Sequence, residues 1–234
     1  MSDLYRLGSR GLFYGGAWHA PINGAFAPTL SPGTGEAICD VVQGSEADVD
    51  AAVAAAQHAL QGWQSTSPME RAQILRAAAA VVRENAKELI EIDAINGGNP
   101  VAELAADARS AAAQLEFFAG LVTEMKGASI PVGPNAVNFS IRQPLGVVAR
   151  ILAYNHPFMF FAGKIAAPLA AGNAVIIKPP EQAPLSALRL AELLEEVLPA
   201  GVLSVIPGGR DVGAALASHR NVAKVALIGS VAAG

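Results

Sequence analysis

The sequence has a single cysteine, Cys39, so no disulfide can close within the chain. Its four histidines, His19, His58, His156 and His219, are scattered without the spacing that holds a metal ion, and no structural metal is expected. Positive charge is sparse. The 16 Lys and Arg stand against 20 Asp and Glu, a net charge of −4, and no basic cluster exists to grip nucleic acid or an anionic membrane. Long hydrophobic runs are missing too: the longest, IAAPLAAGNAVII at 165–177, is too short to span a bilayer and lies between Lys164 and Lys178. The opening MSDLYRLGSR lacks the apolar core of a secretory signal, so a cytoplasmic protein is expected.

What the chain has in quantity is apolar side chain. Hydrophobic residues make up 52% of 234 and charged residues 15%, with a mean hydropathy of +0.37. That length can bury a substantial core, and the excess implies that part of the surface meets a partner. Small molecules or protein are the expected partners.

Periodicity divides the chain. LFYGGAWHAP and EAICDVVQG read as short strands separated by the turn SPGTGE. Cys39 falls in the second, where a buried, inert thiol is the expectation. A helix begins at Ser45, which caps it with Asp48, and carries the stripe Val49, Val53, Ala56, Leu60 and Trp63. A second begins at Ser67, with Pro68 in its first turn and Glu70 completing a capping box, and reads as one helix up to the breaker NGGNP. A third, Ala-rich, covers about Val101 to Lys126. These helices show no convergent polar set and read as structural. The alternation of AVNFSIRQ predicts an exposed two-faced strand over 137–144, suited to pairing with another subunit or to a plain surface hairpin.

From Gly146 onward, apolar runs GVVARILA, NAVIIK, VLSVI and KVALIG alternate with helical segments at about 158–171, 185–198 and 211–218. This is the pattern of a parallel sheet covered by helices, whose ligands bind beyond the carboxyl ends of the strands. At those ends stand Asn155, then Lys178 and Glu181 in KPPE, then Pro207 to Gly209, then Gly229 to Gly234.

Together these segments resemble the aldehyde dehydrogenase superfamily. The resemblance rests on PGTGE, GSEADVDAAVAAA, IPVGP, QPLGVVARILAYNHPF, KIAAPLAAGNAVIIKPPEQAPLSALRLAELL, GVLSVIPGG and KVALIGSVAAG, in that order along the whole chain. It implies an α/β fold: N-terminal helices, then a Rossmann-type parallel sheet with helices on both faces, incomplete at its C-terminus. Residues 1–126 and 146–234 would form the cofactor-binding domain, 127–145 an oligomerisation strand, and the catalytic domain would be absent.

The resemblance also implies roles. Asn155 would donate its side-chain amide to an oxyanion, a job for a group that donates without titrating. Lys178 and Glu181 would contact the adenosine ribose of NAD, with NADP the alternative, since a carboxylate disfavours a 2′-phosphate. Ile151, Leu152, Gly208 and Gly209 would line the cofactor, and Gly229 and Ser230 would meet its pyrophosphate. His156 and Tyr154 stand where the family commonly has aromatic residues. His156 reads either as lining the aldehyde or nicotinamide side, or as a satisfied buried histidine. The nucleophilic Cys and general-base Glu of the family lie downstream of the Gly-Ser turn, and neither motif occurs in these 234 residues. The isolated chain is therefore expected to be inactive, the first half of an NAD-dependent enzyme that works as a homo-oligomer or with a complementing C-terminal half. Two other readings are a non-catalytic protein docking on dehydrogenase subunits and a stand-alone nucleotide-binding module.

Overall fold

The computed structural model describes residues 2–233 and, for side chains, residues 6–233. Helix α1 (Ser2–Ser9) is followed by the strands β1 (Leu12–Tyr14), β2 (Ala17–His19), β3 (Phe26–Leu30) and β4 (Ala37–Val42). Then come α2 (Glu46–Ser65), α3 (Pro68–Glu84), α4 (Ala86–Gly97) and α5 (Val101–Leu121), the last continued by a short 3-10 turn. The exposed strands β5 (Ser129–Pro131) and β6 (Val137–Phe139) lead into the alternating part. That part comprises β7 (Val147–Ile151), α6 (Pro157–Ala170), β8 (Ala174–Lys178), α7 (Leu185–Leu194), β9 (Leu203–Val205), α8 (Arg210–Ser218) and β10 (Val222–Leu227).

The central sheet has the order β10-β7-β8-β9-β1-β2. Strands β10, β7, β8 and β9 pair in parallel, as the apolar runs predict; the inner strands, mostly buried, need no polar alternation, whereas the edge strand β10 is largely exposed. All five residues of β8 are buried. Among the described residues no helix is long and apolar enough to cross a membrane, and no cluster of His, Cys, Asp and Glu is arranged to hold a metal ion.

Both capping boxes form. The Ser45 hydroxyl accepts from the Asp48 amide at the start of α2, and Ser67 does the same for Glu70 at the start of α3. Each satisfies amides that a helix start otherwise leaves unpaired.

Four expectations change. The segment read as one strand at LFYGGAWHAP is a hairpin, β1 and β2, turning at Gly15 and Gly16, and β1 joins the central sheet antiparallel to β9. SPGTGE joins β3 to β4, and β3, interrupted by Pro28, escaped the pattern. The second helix is two, because the chain breaks at Asn85, whose side-chain amide donates to the Val81 carbonyl at 2.8 Å. The 137–144 strand shortens to β6, which pairs antiparallel with β5 in a separate two-stranded ribbon.

Candidate active site

The ends of the parallel strands bring most of the predicted residues together. Ile151 and Lys178 are cross-strand neighbours in register. The start of α8 lies above them: a Cβ on Gly213 would stand 3.7 Å from Cδ of Lys178 and 3.8 Å from Cδ1 of Ile151. Leu152 is buried and donates its amide to the Lys178 carbonyl at 3.0 Å, which extends the pairing one residue past β7. Lys178 is itself buried, with Nζ donating to the Pro179 carbonyl at 3.2 Å. Burial lowers its pKa, against the opposing charge of Glu181.

Gly208 and Gly209 form the turn from β9 into α8. A Cβ on Gly208 would lie 2.4 Å from Cγ2 of Val212, at a backbone φ of +155°, so only glycine fits. Gly209 caps α8 without a side-chain hydrogen bond, and a Cβ there would lie 3.1 Å from Oε1 of Glu181. Backbone and carboxylate thus face one another across a space that any larger residue would enter. Glu181 is exposed and, with Tyr154, also lines a cleft of about 670 Å³ against Pro28, Thr29, Pro32 and Asn96. The loops after β7 and β8 share that cleft.

Asn155 differs from its expectation. It is not at the end of a buried strand: β7 stops at Ile151, and Asn155 is exposed in the bend before α6. Here the α4–α5 hairpin, read from sequence as purely structural, supplies three polar side chains. Asn99 Nδ2 donates to the Asn155 carbonyl at 2.5 Å. His156 Nδ1 meets Asp107 Oδ2 at 2.8 Å, and the Phe158 amide donates to Asp93 Oδ2 at 3.1 Å. His156 is therefore not a buried histidine; its side chain is 41% exposed and paired with an acid.

Burial raises the Asp93 carboxyl most. The Ser186 hydroxyl and the Phe158 amide oppose the rise, while the charge of Asp107 adds to it and His156 offsets that, leaving Asp93 pushed up to about 7. Neither Asp93 Oδ1 nor Ser186 Oγ has a partner in hydrogen-bond geometry, so Ser186 acts on the carboxylate by proximity.

A further buried residue absent from the sequence reading is Asn96, at the end of α4. Its Nδ2 donates to Thr29 Oγ1 at 2.8 Å and to the Gln182 carbonyl at 3.4 Å, and its Oδ1 accepts from the Leu185 amide at 3.1 Å. It ties β3 and α4 to the loop that carries Glu181. The signal available in sequence was an Asn just ahead of a Gly-Gly breaker, which reads equally as a turn residue.

Gly229 and Ser230 lie exposed beyond β10, followed by a 3-10 turn, Val231–Ala233, in which the Ala233 amide donates to the Ser230 carbonyl at 3.0 Å. No longer helix follows among the described residues, and Gly234 lies outside them. Cys39 is buried in β4, directly opposite Thr29 of β3.

Comparison with known proteins matches this geometry to one group. The model of the aldehyde dehydrogenase family covers residues 18–234. Aldehyde dehydrogenase tropH of Talaromyces stipitatus is 50% identical over 227 residues, which is 95% of this chain and 44% of that relative. The NAD⁺ complex of an aldehyde dehydrogenase from Bacillus cereus superposes with a TM-score of 0.95 at 32% identity, covering 100% of this chain and 48% of that one. An NADP-dependent enzyme of E. coli gives a TM-score of 0.91 at 32% identity over 97% of this chain and 47% of its own. The chain thus spans about half the length of the relatives it matches. With a family match over nearly all its residues and strand ends furnished as described, the chain belongs to the aldehyde dehydrogenase family.

Proposed function

We propose that this chain supplies the cofactor-binding part and an oxyanion-binding amide of an enzyme that oxidises an aldehyde to a carboxylic acid with NAD. The observation that carries the reading is the juxtaposition of Glu181 with Gly209, where a Cβ would come within 3.1 Å of the carboxylate. A space kept open by glycine, bordered by a carboxylate and by the buried ammonium of Lys178, fits a ribose with two hydroxyls. NAD supplies the hydride acceptor when bound. The Glu181 carboxylate accepts from ribose hydroxyls and repels a 2′-phosphate, which favours NAD over NADP. Lys178 keeps donors beyond the one given to Pro179 and holds the same sugar. Gly229 and Ser230 offer backbone amides and a hydroxyl to the pyrophosphate. Asn155, exposed beyond β7, donates its amide to the oxygen that gains negative charge during the reaction; loss of one such donor costs on the order of 10²- to 10³-fold in kcat.

The β5–β6 ribbon supports assembly with other subunits. All six of its residues are exposed, including Val137 at 82% and Phe139 at 64%, a surface suited to burial against a second copy. We assign residues 127–145 this role, and 1–126 with 146–234 the cofactor-binding domain.

The test is aldehyde-dependent reduction of NAD by the full-length protein, with NAD and NADP titrated against wild type and Glu181→Ala. Turnover with NAD, and a cofactor affinity weakened by Glu181→Ala, is expected. Normal NAD affinity without the carboxylate would refute the cradle.

A further inference from the structure

The segment between β7 and α6 holds itself in place poorly. Leu152 is fixed by its bond to Lys178, and the Phe160 amide donates to the His156 carbonyl at 2.8 Å, within the first turn of α6. Between them, among the described residues, the only hydrogen bond to the backbone of 153–155 comes from Asn99. Exposed and irregular backbone of this kind samples many conformations unless something outside it takes hold. Yet a donor that stabilises developing charge must be fixed before the reaction to be effective.

We propose that Asn99 and Asp107 are positioning residues for Asn155: the α4–α5 hairpin fastens the residue's own carbonyl through Asn99 and its neighbour His156 through Asp107, aiming the Asn155 amide. The inference rests on the function proposed above. Its geometric basis is independent of that function. Gly98, at φ +78°, ends α4 in the left-handed conformation, and Asn99 follows it in the turn before α5, with its side chain on the Asn155 carbonyl. Asp107 is buried on α5 and Asp93 on α4, so these anchors sit on packed elements, while Asn155 between β7 and α6 is exposed. Asp93 adds a third point through the Phe158 amide, fixing the first turn of α6. The carboxylate of Asp107 also selects which nitrogen of His156 carries the proton: in the neutral ring Nδ1 donates to Oδ2, and Nε2 is left bare.

This makes a prediction that a general packing role does not. If the clamp works through Asn155, removing it matters only while Asn155 is present. In the full-length protein, Asn99→Ala and Asp107→Ala should each lower kcat by about 10- to 100-fold, the loss expected when a catalytic group moves by a fraction of an ångström to 1 Å, with little change in KM for NAD. Asp107→Asn, which keeps an acceptor oxygen, should recover part of the loss. In an Asn155→Ala background the same substitutions should have almost no further effect. Equal losses in both backgrounds overturn the assignment.

A second readout does not depend on turnover. Hydrogen exchange of the Phe158 amide, the one amide of 154–158 with a hydrogen bond among the described residues, should accelerate at least tenfold in Asn99→Ala and Asp107→Ala while β7 and β8 stay protected. The ¹⁵N shifts of His156 should report Nδ1 protonation in wild type and its loss in Asp107→Ala. Unchanged exchange and an unchanged tautomer would also overturn the clamp. A wild-type protein without aldehyde turnover defeats the proposed function, and the exchange and tautomer measurements then decide the clamp alone.

Discussion

A methyl group on Gly209 would stand 3.1 Å from Oε1 of Glu181, and one on Gly208 would stand 2.4 Å from Cγ2 of Val212. The two glycines are adjacent but answer to different demands. Gly208 is required by the fold, since the obstacle is a buried branched side chain and φ is +155°. Gly208→Ala should destabilise the protein by about 1–3 kcal/mol, the usual cost of overpacking, seen as a fall in unfolding midpoint. Gly209 has an ordinary φ of −80°, and the group it would meet is the end of a flexible, exposed side chain. Gly209→Val should leave the midpoint nearly unchanged and weaken NAD binding about tenfold, or about 1.4 kcal/mol. Equal effects on stability and binding from both substitutions would contradict this division.

Asp93 makes stability fall as pH rises. Its carboxyl is raised from 3.8 to about 7, chiefly by burial, so the folded state holds its proton more firmly than the unfolded chain. For a raised acid the contribution is greatest below the unfolded value, declines through the interval up to about 7, and is flat above it. Asp93→Asn keeps an acceptor for the Phe158 amide and offers a donor to the unpartnered Ser186 hydroxyl. The variant should exceed wild type by a few kcal/mol at pH 8, at roughly 1.4 kcal/mol for each tenfold difference in proton affinity between the folded and unfolded chain, and match it near pH 4. Unfolding midpoints measured at intervals from pH 4 to 8 test this; parallel curves would rule it out.

Glu192 has the opposite sign. Burial alone would raise it, but hydrogen bonds from Arg6 and Arg189, with the charges of Arg10 and Arg189, outweigh burial and hold the carboxyl below its usual value. Arg6 Nη1 and Arg189 Nη1 each reach it at 2.6 Å, and Arg10 bonds to it as well. Arg189 continues to Glu88 on α4 at 2.9 and 3.0 Å. This network fastens α1 and the bend that follows it to α7. Because the folded value is depressed, its contribution is present above the unfolded value of 4.5 and disappears as pH falls through the folded one. Glu192→Gln should cost about 1–3 kcal/mol at pH 7, between the values for exposed and buried pairs, and little at pH 3. Limited proteolysis should release the N-terminal segment first; a variant as resistant as wild type would refute the fastening role.

The parts of this molecule that were legible in sequence are local. Ser45 with Asp48 and Ser67 with Glu70 announce helices because the capping partners are three residues apart, and β8 announces itself because a strand buried on both faces is continuously apolar. Glycine and charge at the strand ends pointed to the proposed cofactor side for the same reason. What escaped depends on contacts distant in the chain. Strand β1 finds its partner in β9, with Phe13 opposite Val205, and nothing near Phe13 encodes that. Asp93, Asn99 and Asp107 fall on two helices and a turn, and only the reversal at Gly98 makes them converge. Asn85 broke a helix through its own side chain, without the glycine or proline that marks most breaks.

Asn96 makes three hydrogen bonds, buried ones to Thr29 and Leu185 and a part-buried one to Gln182, and each partner belongs to a different segment. Asn96→Ala leaves the Leu185 amide without its acceptor in the interior, at about 1–3 kcal/mol, while Thr29 Oγ1 still donates to the Gln182 carbonyl. The loop carrying Glu181 should loosen with it. The expected result is a lower unfolding midpoint together with weaker NAD binding, both absent in a control such as Gln64→Ala on the exposed end of α2. Loss of stability with unchanged cofactor affinity would separate Asn96 from the Glu181 loop.

Cys39 bears on what the 234 residues can do alone. A nucleophile must be a thiolate and must reach its substrate. Cys39 meets neither condition. It is 3% exposed in β4, and a Cβ on Gly8 of α1 would come within 2.9 Å of its sulfur. Burial raises its pKa first, the charge of Asp40 adds to the rise, and a backbone hydrogen bond from Gly8 opposes it. No other cysteine exists in the sequence. The 234-residue chain by itself should therefore give no aldehyde-dependent NAD reduction, and Cys39→Ala should leave turnover by the full-length protein intact. Iodoacetamide should label Cys39 only after denaturation. Turnover by the isolated chain that vanished in Cys39→Ser would overturn this reading, because it would require a buried thiol packed beneath α1 to act as the nucleophile.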